Sequence, residues 1–338
     1  MRFSWFATLP WLLLLASPDA AVAEAPQVRT QAPGFYRMML GRFEITALLD
    51  GTHVFPVPTV MTRNETQAGG ERRAVMLSDA HPGLADALLA GANLGIPLEG
   101  SINAFLINTG NKLILIDSGA GSLYGACCGH LPENLQAAGY RPEQIDEIYL
   151  THLHADHVGG IAPNGKPAFP NAIVRVNQKD LDYWLDAKNE NEAPKFLRPM
   201  FEGDRASLKP YMDSGRVRTF VDEQELSPGI RAVPTPGHTR GHTSFAVVSD
   251  GQRLLVWGDL VHVAPIQFPE PNVTVTYDSD PMSAEAKRTK MFAKSAQDGS
   301  WVAAAHIAFP GLGHIRSADG HFEWIPANYT TVLKPPHE

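Results

Sequence analysis

Thr151-His152-Leu153-His154-Ala155-Asp156-His157-Val158-Gly159-Gly160 is the stretch from which the fold and the chemistry of this chain are read. It places three imidazoles and one carboxylate within six positions, directly after the apolar run Ile145 to Leu150. Histidine nitrogen and aspartate oxygen are the donors a borderline divalent ion such as zinc prefers. A polar surface loop is the competing reading, but four such neighbours cannot all find ordinary partners in a core, and leaving them unpaired there is costly.

One loop cannot close two metal sites, so further donors are sought just beyond other apolar strands. His238 stands in Thr235-Pro236-Gly237-His238-Thr239, a turn following the strand-like Ile230 to Val233. Asp259 ends a hairpin and has the position from which one carboxylate can bridge two ions. His306 follows Trp301 to Ala305 and opens a loop with Pro310, Gly311 and Gly313. A lone histidine after a strand is more often a hydrogen-bonded structural residue. Together, five histidines and two aspartates are what two adjacent ions need when positions stay open for water and substrate.

The surrounding pattern alternates strands and helices. Phe43 to Leu49 reads as a strand closed by Asp50-Gly51, and Ala104 to Asn108 with Lys112 to Asp117 reads as a hairpin. Ser244 to Val248 with Gln252 to Asp259 repeats that hairpin, which suggests two related halves, although common hairpin grammar explains the likeness equally well. Helices are expected at 132–138, 178–187 and 283–296, and strands at 144–150, 172–176, 217–221 and 230–233. Residues 53–100, with Pro56, Pro58 and Gly69-Gly70, form a variable insertion that reads as either a lid or wall of the pocket or a surface excursion, with a short helix near Leu84 to Ala90. Ligand candidates placed just after strand ends are the usual arrangement of α/β layers.

The first residues, a basic start, an apolar run from Phe3 to Ala16 and Ala21-Val22-Ala23, have the parts of a secretory signal peptide over residues 1–23. The mature domain is then expected over 24–338, periplasmic or secreted, without stable membrane insertion. The net charge of −8 argues against nucleic acid or an anionic membrane surface as partner. The only cysteines, Cys127 and Cys128, are adjacent; neighbouring residues rarely reach relaxed disulfide geometry, and the spacing is not that of a zinc site.

The pattern His-x-His-x-Asp-His, a Pro-Gly-His turn, a Gly-Asp after a strand and a late histidine resembles the metallo-β-lactamase superfamily. The segments Ala-Pro-Gln-Val-Arg-Thr from Ala25, Phe-Glu-Ile-Thr-Ala-Leu from Phe43, Asp-Glu-Ile-Tyr from Asp146, Phe-Pro-Asn-Ala from Phe169 and Phe-Pro-Gly-Leu-Gly-His-Ile-Arg from Phe309 resemble its methyl parathion hydrolase branch, which includes lactonases. That resemblance implies a four-layer αββα sandwich and a homodimer. It implies two divalent ions, zinc first with manganese, iron or cobalt accepted, one held by His152, His154 and His238, the other by Asp156, His157 and His306, with Asp259 between. A metal-bridging hydroxide would be the nucleophile, with Asp156 orienting it, and Asp117 and Thr151 would brace ligands. By local alignment Tyr124, Trp184 and Phe201 fall on aromatic wall positions of that branch, where core packing explains them equally well. His262 and Tyr277 replace what look like leucines.

A wall with an imidazole and a phenol offers hydrogen bonds to a carbonyl. The expected substrates are therefore aromatic lactones or aryl esters, with phosphotriesters as a side activity. The alternatives are a phosphotriesterase as the main activity and a non-catalytic metal-binding protein. A β-lactamase proper is a weaker fit, because the late ligand is His306 rather than a cysteine.

Overall fold

A computed structural model describes Met1 and residues 25–333. The leader expected at residues 1–23 lies, Met1 aside, outside the described residues. All elements below belong to the unit beginning at Pro33.

Two seven-stranded sheets carry the fold. In the first, the strands run Phe35–Leu40, Phe43–Phe55, Leu98–Asn108, Leu113–Ile116, Glu147–Tyr149, Ile173–Asn177 and Val217–Phe220 across the sheet. The second runs Glu225–Ser227, Ile230–Pro234, Thr243–Ser249, Gln252–Val256, Trp301–Ala303, Leu312–Ala318 and His321–Pro326. Both faces of each sheet are apolar for a physical reason visible in Leu113–Ile116. Ile114 and Ile116 point into the inter-sheet core with Phe105, Ile107, Phe245 and Val256, while Leu115 points out to a helical layer. Each such buried side chain contributes about 1.5–3 kcal/mol.

The outer layer on the first sheet includes the helices Leu131–Ala137, Gln178–Trp184 and Arg198–Asp213, packed through Leu135, Trp184, Phe201, Leu208 and Tyr211. The helix Pro281–Asp298 covers the second sheet through Met291 and Phe292. The result is the four-layer αββα sandwich. The helix Arg198–Asp213 is not among those expected from the sequence; of its prolines, Pro199 sits in the opening turn, where its missing N–H costs nothing, and Pro210 in the closing turns.

The repeated hairpins extend into topology. Leu113–Ile116 runs parallel to Glu147–Tyr149, and Gln252–Val256 runs parallel to Trp301–Ala303. In both halves the parallel strands end toward the ligand-bearing loops.

Two local expectations change. The strand from Phe43 does not close at Asp50-Gly51 but continues to Phe55 through an irregularity between Leu49 and Gly51. Asp50 is fully buried, and its carboxylate accepts backbone N–H bonds from Ala120, Gly129 and Leu131 instead of starting a turn. Residues 53–100 are also not a bare excursion. Met61–Thr66 and Arg72–Met76 join Val273–Val275 in a three-stranded sheet, and the expected helix is present as Leu84–Gly91. Among the described residues no helix is long and apolar enough to cross a membrane.

Candidate metal centre

The strand Glu147–Tyr149 delivers the chain into the loop of His152 and His154 and then a helical turn, Ala155–Val158, which carries Asp156 and His157. His238 arrives from the turn after Ile230–Pro234, Asp259 from the end of Gln252–Val256, and His306 from the end of Trp301–Ala303. All seven side chains are buried. They form two donor groups, His152, His154, His238 and Asp259 in one and Asp156, His157 and His306 in the other, with the donor atoms of each group within 4.8 Å of one another. Asp259 reaches both. Its Oδ2 lies 3.3 Å from His238 Nε2, 3.7 Å from His152 Nε2 and 3.2 Å from His306 Nε2, and its Oδ1 lies 3.0 Å from His157 Nε2 and 3.1 Å from His306 Nε2.

The outer nitrogens of these rings fix which inner nitrogens carry lone pairs. His157 Nδ1 donates to Asp117 at 2.9 Å, His238 Nδ1 to Asp278 at 2.7 Å and His306 Nδ1 to the Ser101 carbonyl at 2.9 Å. The Thr151 hydroxyl donates to Asp117 and so accepts from His152 Nδ1 at 3.0 Å. Each assignment leaves a bare Nε2 facing the centre, and His154 Nδ1 stands 3.0–3.1 Å from two of them. Lone pairs and carboxylate oxygens converging out of water repel one another unless cations lie among them. His157 Nε2 and Asp259 Oδ1 find no hydrogen-bond partner in the protein, as ligands awaiting an ion would not. The donor set therefore fits two divalent ions.

The electrostatics follow the same map. Burial disfavours the imidazolium of His157, yet the carboxylates of Asp259, Asp156 and Asp117 raise its pKa well above the ordinary value. Burial and the neighbouring imidazoles lower those of His152 and His154 well below it. Against the cost of burial, His157, His306 and His152 hold Asp259 well below the usual carboxylate range.

Three bracing residues escaped the sequence reading. Asp278 orients His238. Asp180, fully buried, ties the loop of His152 and His154 to the turn that carries His238 by accepting from Leu153 N, Thr239 Oγ1 and Gly241 N. His242 accepts the Asp259 N–H at its Nε2 and donates from Nδ1 to the Thr235 carbonyl. Only His242 had a readable signal, the repeated Gly-His-Thr at 237–239 and 241–243. Gly258 has a left-handed φ of +59°, and a Cβ there would stand 2.8 Å from Thr151 Cβ and 2.9 Å from His242 Nε2. This crowding explains the Gly-Asp pair. Gly258→Ala is expected to displace Asp259 and to lower both melting temperature and metal content, which differential scanning calorimetry and elemental analysis would measure.

A cavity of about 280 Å³ opens over the donors, lined by His53, Phe55, Tyr124, Met200, His262 and Tyr277 beside His154, Asp156, Asp259 and His306. Tyr124, His262 and Tyr277 thus stand where the sequence placed them. Trp184 and Phe201 do not line this cavity. They pack against each other at a tilt of 49°, ring centroids 4.5 Å apart, inside the helical core, with Trp184 edge-on to His154 at 5.1 Å, so they support the wall from behind. His53 and Phe55 were missed because they lie on the unforeseen extension of the strand Phe43–Phe55. His262 also departs from its expected role. Its Nε2 lies 3.1 Å from Asp259 Oδ2, its ring stacks on His306 at 5.5 Å, and with these two residues it makes a further donor group. Neither cysteine joins any of these groups.

The profile of the metallo-beta-lactamase superfamily matches residues 97–306, and the chain belongs to that superfamily. Its site has the architecture of a metal-dependent hydrolase. Among solved structures, the chain is similar to the hydrolase AbOPH of the beta lactamase superfamily, at 37% identity over 89% of this chain and 100% of that one, with a TM-score of 0.78. It is also similar to AidC, a dizinc quorum-quenching lactonase, at 27% identity over 88% and 99% of the two chains, with a TM-score of 0.75. A probable metallo-hydrolase of Mycobacterium tuberculosis is 29% identical over 189 residues, covering 47% of this chain and 59% of that protein. The chain spans little more than half the length of that relative.

Proposed function

We propose that this chain is a two-metal hydrolase whose leading substrates are organophosphate triesters, with aromatic lactones and aryl esters as a second class. The observation that carries the reaction type is the Asp259 carboxylate, which lies within about 3.3 Å of imidazoles of both donor groups beneath one cavity. His152, His154 and His238 would hold one ion and Asp156, His157 and His306 the other, with Asp259 shared; zinc suits these donors, and AidC is a dizinc enzyme. Such ions supply water that ionises near neutral pH and polarise the oxygen of the scissile group.

The chain's own residues supply the rest. Asp156, at the cavity floor, is placed to take a proton from the attacking water and return it to the leaving oxygen. Phe55, Tyr124, Met200 and Tyr277 offer aromatic and thioether surface to a flat leaving group.

The order of the two substrate classes reverses that drawn from sequence. There, His262 counted as a wall donor for a carbonyl; here its Nε2 faces Asp259 and its ring lies along His306, so it belongs to the floor. Similarity to AbOPH at 37% identity supports the phosphotriester reading. The Tyr277 phenol in the wall and the similarity to AidC favour the second.

A parallel kinetic screen of a dimethyl aryl phosphotriester, dihydrocoumarin and an aryl acetate, with elemental analysis of the same sample, tests the order. The highest kcat/KM is expected for the phosphotriester; a higher value for dihydrocoumarin would install the second reading. A metal-loaded sample inert to all three would leave a non-catalytic metal-binding protein. Chelation is expected to abolish turnover and re-addition of zinc to restore it. His262→Leu removes an imidazole from the crowded floor and should shift the phosphotriester-to-lactone ratio about tenfold toward the bulkier tetrahedral substrate, read from kcat/KM for both. The proposal includes export, supported by the composition of residues 1–23, for which cell fractionation is the check.

A further inference from the structure

Cys127 and Cys128 sit in the turn between Tyr124 and Gly129, outside the donor groups, and no step above uses them. Their sulfurs are 2.8 Å apart. A disulfide is about 2.03–2.05 Å long, so closing the pair takes a further approach of about 0.8 Å. Cys127 is half-buried and accessible, and Cys128 is buried.

The turn is built into the wall of the active-site cavity. Cys127 Sγ donates to the Tyr124 carbonyl at 3.3 Å, and the Tyr124 ring lines the cavity, edge-on to His53 at 5.7 Å. On its other side the turn presses on the strand Phe43–Phe55. A Cβ on Gly51 would collide with the Cys127 carbonyl oxygen and come within 2.8 Å of Cys128 Cα. Backbone against backbone leaves no room to move toward the sheet, so a change at the sulfurs is passed to Tyr124.

We propose that Cys127 and Cys128 form a thiol-modification site that closes to a vicinal disulfide by exchange with a small-molecule disulfide and, in closing, loosens the Tyr124 wall of the cavity. The Cys127 thiolate attacks the external disulfide, forming a mixed disulfide and expelling one thiolate. Cys128 then gives up its proton and attacks Cys127 Sγ, expelling the second thiolate. Two cysteine thiols are oxidised to one disulfide, one external disulfide is reduced to two thiols, and the cysteine protons pass to the released thiolates. Burial and the Cys127 thiol beside it raise the Cys128 pKa, which makes Cys127 the residue that attacks first. The closed ring is strained, and strained disulfides are the readily reduced, switchable kind. Closure removes the S–H that bonds the Tyr124 carbonyl.

The test incubates the metal-loaded full chain with oxidised glutathione, removes the reagent and measures intact mass, alkylatable thiols and kinetics on an aryl acetate. The expected product has lost two hydrogens and both alkylatable thiols, is restored by dithiothreitol, and shows a KM raised about tenfold, the scale of one pocket contact. Cys128→Ser should instead stop at a glutathione adduct on Cys127. The Cys127→Ser, Cys128→Ser double variant should keep the basal kinetics and ignore the reagent. Two thiols still alkylatable in the wild type, or a lasting glutathione adduct on it, would overturn the site. Closure with an unchanged KM would overturn its coupling to the wall. Mass and thiol counts need no substrate, so this test stands apart from the choice between phosphotriester and lactone.

Discussion

Asp259→Ala is expected to lower kcat/KM about a thousandfold or more and to reduce metal content per chain by at least half, the largest effect of any single substitution. The reason is geometric. Asp259 lies between the two donor groups, with His157 and His306 at 3.0 and 3.1 Å on one side and His238 at 3.3 Å on the other. Removing one partner from a buried charged cluster costs about 3–5 kcal/mol, which is about two to four powers of ten in an equilibrium or rate constant. No neighbour replaces it, because the remaining shared-site candidate, His262, brings one nitrogen and no negative charge. Elemental analysis and steady-state kinetics on the purified variant give the measurement, with circular dichroism to confirm that the sandwich has formed. A variant with wild-type metal content and turnover would refute the assignment of Asp259 as the shared ligand.

The second large effect is expected from a residue that touches no ion. Asp117→Ala should weaken metal binding or kcat/KM by about 10–100-fold, the usual cost of losing a ligand's brace. Asp117 takes three bonds at once: Thr151 N at 2.8 Å, Thr151 Oγ1 at 2.8 Å and His157 Nδ1 at 2.9 Å. Through Thr151 it also sets His152. Its backbone sits at φ +59°, a left-handed conformation that aspartate tolerates better than most residues.

Asp117→Asn separates bracing from mere space-filling. The amide keeps the size and one acceptor, but its NH2 group meets the His157 Nδ1–H and the Thr151 hydroxyl. His157 is then driven to the tautomer that protonates Nε2, the nitrogen aimed at Asp259. The asparagine variant is therefore expected to lose about as much activity and metal as the alanine variant, read by kinetics and metal titration. Near wild-type behaviour of Asp117→Asn would show that the carboxylate does not set the tautomer.

The ligands were legible because their signal is local. Four donors lie in one decapeptide, and the other three each follow an apolar run that could be recognised as a strand before its neighbours in space were known. The Gly258-Asp259 pair was legible in the same way, although its cause, the crowding of Thr151 and His242 against Gly258, was not. Asp117 and Thr151 were foreseen as braces, but Asp278 and Asp180 were opaque. Asp278 lies 40 residues from His238 and Asp180 lies 27 from Leu153, and an isolated aspartate in a loop looks the same whether it faces solvent or a buried N–H.

The wall divided along the same line. Tyr124 and Tyr277 stand at the cavity, but Trp184 and Phe201 turned inward, because the helices Gln178–Trp184 and Arg198–Asp213 present them to each other. His262 lines the cavity as expected but aims its Nε2 at Asp259. His53 and Phe55 entered because burying Asp50 among three backbone N–H groups lets the strand run past a dipeptide that elsewhere makes a turn.

By itself, the sequence determined the class of chemistry and the layered α/β fold, since a metal site is announced by donor type and spacing and a sheet by the period of its apolar residues. Only the tertiary structure decided how closely Asp259 approaches the imidazoles of both groups, which aromatic side chains wall the cavity, and that two adjacent cysteines lie 2.8 Å apart behind one of them. Those facts depend on how distant segments pack, and packing is settled by contacts that no local pattern records.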